Sequence, residues 1–307
     1  MRAIVTGGGG FIGSHLVDAL LTRGDEVYVV DDLSTGRVEN LASAAVLLEY
    51  DIRDECLREL VADIEPDVIF HLAAQADVGT SVARPKYDAD VNVVGTLGVL
   101  EAAQGAGARV VFASSGGAIY GERKEPARED APRLPMSPYG TAKLAAEEYI
   151  AMWNRLHGTN HVVLRLANVY GERQQARLEG GVVAVFLDRL SEGLDCEIYG
   201  DGGQTRDFVH VSDVAAAFVA AGDGGDGVFN VGSGRRTTIL ELFHLCAEAT
   251  GAGGREPVHQ AARAGDLRDS VLDASHAEAV LGWRPRLTLA EGIALTWQRG
   301  RIASSSR

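Results

Sequence analysis

The segment Val5-Thr6-Gly7-Gly8-Gly9-Gly10-Phe11-Ile12-Gly13-Ser14-His15-Leu16 constrains this chain more than any other. Arg2-Ala3-Ile4-Val5 reads as a short buried strand, and Phe11, Ile12, His15, Leu16, Ala19 and Leu20 recur at helical spacing. A strand therefore runs through a glycine turn into a helix. Gly7, Gly10 and Gly13 form a G-x-x-G-x-x-G pattern. Gly7 permits the tight turn, Gly10 lets backbone N–H groups approach a pyrophosphate, and Gly13 lets the helix pack close to the strand. The phosphates would meet the positive end of that helix. Four adjacent glycines alone also suit a flexible loop, so the continuation decides. The next apolar run, Glu26-Val27-Tyr28-Val29-Val30, ends in Asp31-Asp32. Asp31 lies 18 residues after Gly13, close to the roughly 20 expected of a carboxylate that binds an adenosine ribose. An acid there repels a 2′-phosphate and favours NAD over NADP. Arg37 is the one nearby cation that argues the other way.

The first half goes on alternating. Strands are expected at 46–50, 67–72, 109–113 and 161–166, and helices at 53–63, 87–104 and from Ser137-Pro138 to about Leu156. Ser as N-cap with Pro as first helical residue is a local start signal. This alternation predicts an α/β fold, a Rossmann-type doubly wound parallel sheet with ligands beyond the carboxyl ends of its strands. The second half is less regular and is expected to form a smaller mixed α/β substrate-binding lobe. Thr238-Ile239-Leu240-Glu241 is a capping box opening a helix to about Ala249. Short helices follow at 274–281 and 289–299, and Ser304-Ser305-Ser306-Arg307 reads as a frayed tail. The expected division is 1–166 for the dinucleotide part, with 204–222 returning to it, and 167–203 with 223–300 for the substrate part.

The 307 residues can build a large core, and the net charge of −14 argues against a broad nucleic-acid or anionic-membrane surface. An anionic small molecule held by a few local arginines remains compatible with that charge. No apolar run approaches the ~20 residues that span a bilayer. The first strand leaves no room for a signal peptide, so a cytoplasmic protein is expected. Cys56, Cys196 and Cys246 are scattered and read as buried small hydrophobes, with no metal-ligand spacing among Cys and His residues.

Tyr139 and Lys143 lie four apart on the helix that starts at Ser137, so both project on one face. A phenol is a poor base near neutral pH, with a reference pKa of about 10. A neighbouring ammonium and a nicotinamide cation would favour the phenolate. Such pairs also occur by chance, but here Ser114-Ser115 follows the fifth strand on the crevice side. A nucleotide fold, a serine turn and a Tyr–Lys pair in this order are the parts of hydride transfer at a carbinol carbon.

On these residues the chain resembles an extended short-chain dehydrogenase/reductase of the nucleotide-sugar epimerase/dehydratase group. Thr6-Gly7-x-x-Gly10-Phe11-Ile12-Gly13, Asp31-Asp32-Leu33-Ser34-Thr35-Gly36, His71-Leu72-Ala73-Ala74, Ser137-Pro138-Tyr139-Gly140-x-x-Lys143, Arg165-Leu166-Ala167-Asn168-Val169-Tyr170-Gly171 and Gln204-Thr205-Arg206-Asp207-Phe208 carry the likeness. It is similar above all to UDP-glucose 4-epimerases. The resemblance implies that Tyr139 takes the sugar 4-hydroxyl proton and that Lys143 binds the nicotinamide ribose. It places Gly7, Gly10, Phe11, Ile12, Gly13, Asp31, Asp51, Ile52, Leu72, Ala73, Ala74 and Leu166 against NAD, with Asn92 supporting the region after the fourth strand. Asn168, Val182, Tyr199, Arg206, Arg263 and Asp266 match positions that hold the nucleotide sugar. Homodimerisation through helices near 87–104 and 138–156 is also implied.

One position departs from the family. Counting four back from Tyr120 puts the catalytic hydroxyl at Gly116, whereas counting from the strand selects Ser115; Ser114 then becomes a cofactor or turn residue. The same stretch bears on the reaction. Related dehydratases carry an Asp-Glu pair where this chain has Gly117-Ala118, and without an acid to protonate a leaving hydroxyl, elimination is disfavoured. Epimerisation through a transient 4-keto sugar fits, with UDP-glucose/UDP-galactose first and UDP-glucuronic acid or UDP-N-acetylglucosamine as alternatives. A non-catalytic NAD sensor is the rival from another class, and the presence of both Tyr139 and Lys143 counts against it.

Overall fold

The structure, a computed structural model, describes residues 1–175, 181–262 and 267–305. Six apolar runs become β1 (Arg2–Thr6), β2 (Glu26–Asp31), β3 (Val46–Glu49), β4 (Val68–His71), β5 (Arg109–Ser115) and β6 (Val162–Leu166). With Gly227–Val231 they form a seven-stranded sheet in the order Gly227–Val231, β6, β5, β4, β1, β2, β3. Every pairing in it is parallel. Alternation along each strand feeds two cores. Ala3 and Val5 pack with Leu16, Val17 and Leu20 of the helix Phe11–Arg23 and with Val214 and Phe218 of the helix Val211–Asp223. Ile4 faces the opposite side, with Val61, Leu100 and Ile150 from the helices Leu57–Ile64, Gly95–Ala106 and Pro138–His157. The strand order reverses between β1 and β4, which opens a crevice at their carboxyl ends.

Local signals behave as local physics requires. Ser137 Oγ accepts from Gly140 N at 3.1 Å, and Thr238 Oγ1 accepts from Glu241 N at 3.0 Å, each closing a helix start. Non-local effects move other boundaries. The helix expected over 87–104 is a helical turn at Pro85–Ala89, a π-helical turn at Asp90–Val94 and the helix Gly95–Ala106. The π-turn aims Asn92 inward, where it is buried. The helix expected from Arg53 begins at Leu57, because Asp51 and Asp54 first close a turn on each other. Ser114 and Ser115 belong to β5 itself and not to a turn after it.

The return to the sheet extends past residue 222, where the sequence reading ended it. Gly227–Val231 pairs with β6, and Phe229 and Val231 are fully buried. Leu272, Ala277 and Trp283 join the same core. A third cluster lies apart from the sheet: Val183, Phe186, Ile198, Leu242, Phe243, Cys246 and Ile293, from the helices Val182–Ser191, Ile239–Thr250 and Leu289–Ser305 and the strand Glu197–Tyr199. The last helix runs past its expected end at Arg299. Cys196 and Cys246 are buried, but Cys56 is exposed, since it sits in the turn that precedes Leu57.

Candidate active site

The glycine turn joins β1 to the helix Phe11–Arg23. Gly7 has φ +69°, and a Cβ there would come 2.7 Å from Ala73 N. The turn is thus pressed against the backbone that leaves β4. A Cβ on Gly13 would run into the Gly7 carbonyl oxygen. Gly10 is the N-cap; among the described residues no side chain caps this helix, and its first turn contains no acid. Its leading N–H groups are therefore left to an external acceptor, and the geometry fits a pyrophosphate. At the end of β2, Asp31 Oδ2 accepts from Gly9 N at 2.9 Å and Oδ1 accepts from Leu33 N at 2.9 Å. Burial raises the Asp31 pKa above the usual carboxylate value, and the two N–H donors oppose that rise. Arg37 folds back so that its N–H meets Gly9 O at 2.9 Å, while its guanidinium donates to Gln175 Oε1 at 2.6 Å. These groups fit NAD: an open helix start, a glycine cradle that a Cβ would fill, and an anchored carboxylate at the ribose end.

A buried chain of hydroxyls and one imidazole joins the crevice walls. Thr6 Oγ1 accepts from Leu72 N and Ala73 N at 3.2 Å and meets His71 Nδ1 at 2.8 Å. His71 Nε2 meets Thr96 Oγ1 at 3.0 Å, and that hydroxyl donates to Asn92 O at 2.7 Å. Donor counting then requires the Nε2–H tautomer. Burial, with the Lys143 charge adding to it, pushes the His71 pKa down to about 3, so the ring stays neutral. Asn92 clamps the main chain of Gln75: its Oδ1 accepts from Gln75 N at 3.0 Å and its Nδ2 donates to Gln75 O at 2.9 Å. Leu72, Ala73 and Ala74 line the same exit from β4 and are half-buried. Phe11 is buried beside the turn, and Ile12 is half-buried. Ile52 is buried against Gly95, where a Cβ would collide with it. The Asp51 carboxylate is held by Arg53, which also pairs with Asp90, and this hydrogen bonding lowers the Asp51 pKa.

At the end of β5 the two serines diverge. The Ser114 hydroxyl donates to Glu147 Oε1. Glu147 is in turn paired with the buried Arg165 at 2.6 Å, and Arg165 reaches Tyr120 Oη at 2.7 Å. Ser115 lies beside Tyr139, where its hydroxyl favours the phenolate. Tyr139 is half-buried as a residue, and desolvation about the phenol pushes its pKa up to about 12, while the neighbouring Ser115 lowers it. Lys143 is buried, donates from Nζ to Ala113 O at 3.0 Å, and lies 4.7 Å from the Phe112 ring centroid and 5.9 Å from that of Tyr139. Burial brings its pKa down to about 8, while Asp88 and Glu147 push it back up. Gly116 packs on Leu272, and a Cβ there would come 2.6 Å from Leu272 Cδ1, so the leucine would have to shift. A Cβ on Gly117 would make ordinary contact with Asn168 Oδ1 at 3.7 Å, so this glycine sits directly beside that amide. Leu166 ends β6 beside Ser115.

Of the remaining sequence candidates, Val182, Tyr199 and Arg206 lie on other elements. Val182 opens the helix Val182–Ser191, Tyr199 ends the strand Glu197–Tyr199, and Arg206 sits in the strand Thr205–Arg206. Arg206 Nη1 donates to Thr205 O at 2.8 Å. Asp207 beside it is buried and accepts from Ser233 N, Ser233 Oγ, Gly234 N and Leu272 N, which ties two other segments to the Arg206 strand. Arg263 and Asp266 lie outside the described residues. Sequence reasoning missed Asp88, Gln75 and the Glu147–Arg165–Tyr120 cluster: Asp88 and Asn92 lie four apart, but their meeting with Gln75 and the pairing of Glu147 with Arg165 are set by the fold.

Known proteins place this geometry. The model of the NAD dependent epimerase/dehydratase family matches residues 3–232. A UDP-glucose 4-epimerase of Mycolicibacterium smegmatis is 50% identical over 305 residues, covering 96% of this chain and 97% of that one. The crystal structure of UDP-glucose 4-epimerase from Thermotoga maritima with UDP-glucose superposes with a TM-score of 0.96 at 45% identity, over 99% of this chain and 100% of that one. The Thermus thermophilus UDP-glucose 4-epimerase complex with NAD gives a TM-score of 0.93 at 43% identity, over 99% of this chain and 100% of that one.

Proposed function

The chain belongs to the NAD-dependent epimerase/dehydratase family, and from that premise we propose that it is an isomerase that inverts C4 of a UDP-hexose, interconverting UDP-glucose and UDP-galactose with NAD as resident cofactor. One observation carries this reading: the buried Lys143 ammonium 5.9 Å from the Tyr139 ring centroid, with Ser115 beside the phenol and neutral Gly117-Ala118 where elimination would need an acid. NAD, when bound, supplies the hydride acceptor and donor, so net redox is zero. Tyr139 takes the proton of the sugar 4-hydroxyl and returns it to the epimer. Ser115 orients the phenol, and Lys143 is the chain's own cation for the phenolate. Gly7, Gly10 and Gly13 with the open helix start hold the pyrophosphate, and Asp31 holds the adenosine ribose. Asn168 and Arg206, with Val182 and Tyr199, are assigned to the UDP-sugar; guanidinium forks suit a diphosphate.

The test is incubation with UDP-glucose, UDP-galactose, UDP-N-acetylglucosamine, UDP-glucuronate and dTDP-glucose without added NAD, with products separated by chromatography. UDP-galactose from UDP-glucose supports the reading. Turnover of only another UDP sugar moves the substrate, and a 4-keto-6-deoxy product overturns the epimerase. No helix among the described residues is long and apolar enough to cross a membrane. The reading includes a cytoplasmic homodimer joined through helices in 85–106 and 138–157. The exposed Val82, Val94 and Tyr149 on or beside those helices support a partner surface there. A monomer by sedimentation would refute the homodimer.

A further inference from the structure

We infer that Asp88 is the buried counter-charge of Lys143, a positioning residue that holds the ammonium at the Tyr139 phenol and is itself fixed by Asn92 and Gln75. The inference rests on the proposed roles of Tyr139 and Lys143. Asp88 lies on the helical turn Pro85–Ala89, which packs on the helix Pro138–His157 that carries both groups. It is buried, and its Oδ1 accepts from Gln75 Nε2 at 2.8 Å and from Asn92 Nδ2 at 3.0 Å. Its Oδ2 is buried with no hydrogen-bond partner among the described residues. Burial raises the Asp88 pKa; the Gln75 and Asn92 amides and the Lys143 charge oppose that rise, and Lys143 is the one cation among them.

The charged and titratable groups around this ammonium are few. Asp88 and Glu147 favour its charged form, and the neutral His71 and the Tyr139 phenol flank it. Glu147 is already committed to Arg165 and Ser114, whereas Asp88 is held only by neutral amides. The same amides explain the π-turn at Asp90–Val94: it lets Asn92 reach both Gln75 and Asp88. One device thus sets the β4 exit that faces the cofactor and the charge that serves the phenol.

The test is Asp88→Asn, which keeps shape and the Oδ1 acceptor but removes the charge. Lys143 then loses its proton at lower pH, and the Tyr139 phenol, no longer facing an anion, ionises at lower pH. Both limbs of the kcat–pH profile are expected to move down by about one unit, with the NAD released on denaturation unchanged. A fall in kcat without movement of either limb, or no change at all, overturns the inference. Should Asp88→Asn not fold, Lys143→Met tests the pair from the other side. The Asp88 carboxyl, followed by NMR of ¹³C-aspartate-labelled protein, is expected to titrate at higher pH than in the wild-type chain, and an unmoved titration overturns the inference. This second readout needs no substrate. A wild-type chain inactive on every UDP sugar refutes the proposed reaction and not the coupling of the Asp88 and Lys143 charges.

Discussion

Gly7 is the position where the glycine turn is most sharply constrained, and a matched set of substitutions separates its two constraints. Gly7 and Gly107 have nearly the same backbone, φ +69° and +71°. A Cβ at Gly107 meets nothing within 4 Å, whereas one at Gly7 comes 2.7 Å from Ala73 N and 2.8 Å from Ala73 Cα, closer than the 3.0 Å that real Cβ atoms respect. Gly107→Ala therefore incurs only the left-handed backbone cost, about 1–2 kcal/mol. Gly7→Ala incurs the same cost plus a forced shift of a few tenths of an ångström in a close-packed turn, about 1–3 kcal/mol more. A chain of 307 residues unfolds with an entropy near 0.6 kcal/mol per kelvin. The expected Tm losses are therefore about 2–3 °C for Gly107→Ala and about 3–8 °C for Gly7→Ala. Function divides the two further. The shift at Gly7 pushes Ala73 away from the Thr6 hydroxyl that holds its N–H at 3.2 Å, so the cofactor cradle opens. Gly107→Ala lies at the far end of the helix Gly95–Ala106 and leaves the cradle alone. The assay is melting by circular dichroism together with NAD released per chain on denaturation. Equal Tm losses with equal, undiminished NAD would refute the argument that crowding at Ala73 shapes the site.

Three further outcomes are expected. Ser115→Ala lowers kcat by about 10²-fold with little change in Tm, since it removes the hydroxyl beside the phenol, while Ser114→Ala mainly lowers stability, by about 1–2 kcal/mol, since it takes a hydroxyl from the buried Glu147; steady-state rates and melts on both variants decide, and the reverse pattern moves the catalytic hydroxyl to Ser114. Gly117→Val puts bulk into the space before Asn168 Oδ1 and lowers turnover more than nucleotide affinity, and unchanged turnover would show that the sugar does not use that space. Stability falls as pH drops below about 6.5. Burial holds His71 near a pKa of about 3 and His161 near about 4, so both stay neutral when folded while the unfolded chain takes up protons. Each contributes stability that is complete above the unfolded value and is lost by up to about 1.4 kcal/mol per pH unit on descent toward its folded pKa. Denaturant melts at pH 7.5 and 5.5 check the sign, and His161→Gln should flatten the slope.

What the sequence made legible is what its local chemistry decides. The turn between β1 and the helix Phe11–Arg23 is readable because glycine is the residue that best suits the positive φ at residue 7 and leaves room for the carbonyl contact at residue 13. The start at Ser137-Pro138 is readable because the cap and its acceptor lie three residues apart. The return of the chain after residue 222 is only half readable. The apolar helix Val211–Asp223 announces itself, but the edge strand Gly227–Val231 is short and bounded by glycines, and its place is decided by pairing with β6 sixty-five positions earlier in register. The π-turn is unreadable, since it exists to bring Asn92 to Gln75 and Asp88 and not to satisfy any periodic pattern.

The serine ambiguity shows where the boundary between local and distant information falls. Counting from the strand and counting from Tyr120 disagree by one residue, and a one-residue slip in a strand turns a side chain to the other face. The residues that resolve it lie elsewhere. Arg165, fully buried in β6, needs an anion, and Glu147 on the helix Pro138–His157 supplies it. Glu147 in turn takes the Ser114 hydroxyl, so Ser114 is engaged in a buried ion-pair cluster before any ligand arrives. That leaves Ser115 to the phenol. An arginine in an apolar strand, a glutamate on an amphipathic helix and a serine at a strand end carry no signal singly. Their buried charges must be neutralised together, and it is this requirement, rather than any spacing in the motif, that selects which hydroxyl faces Tyr139.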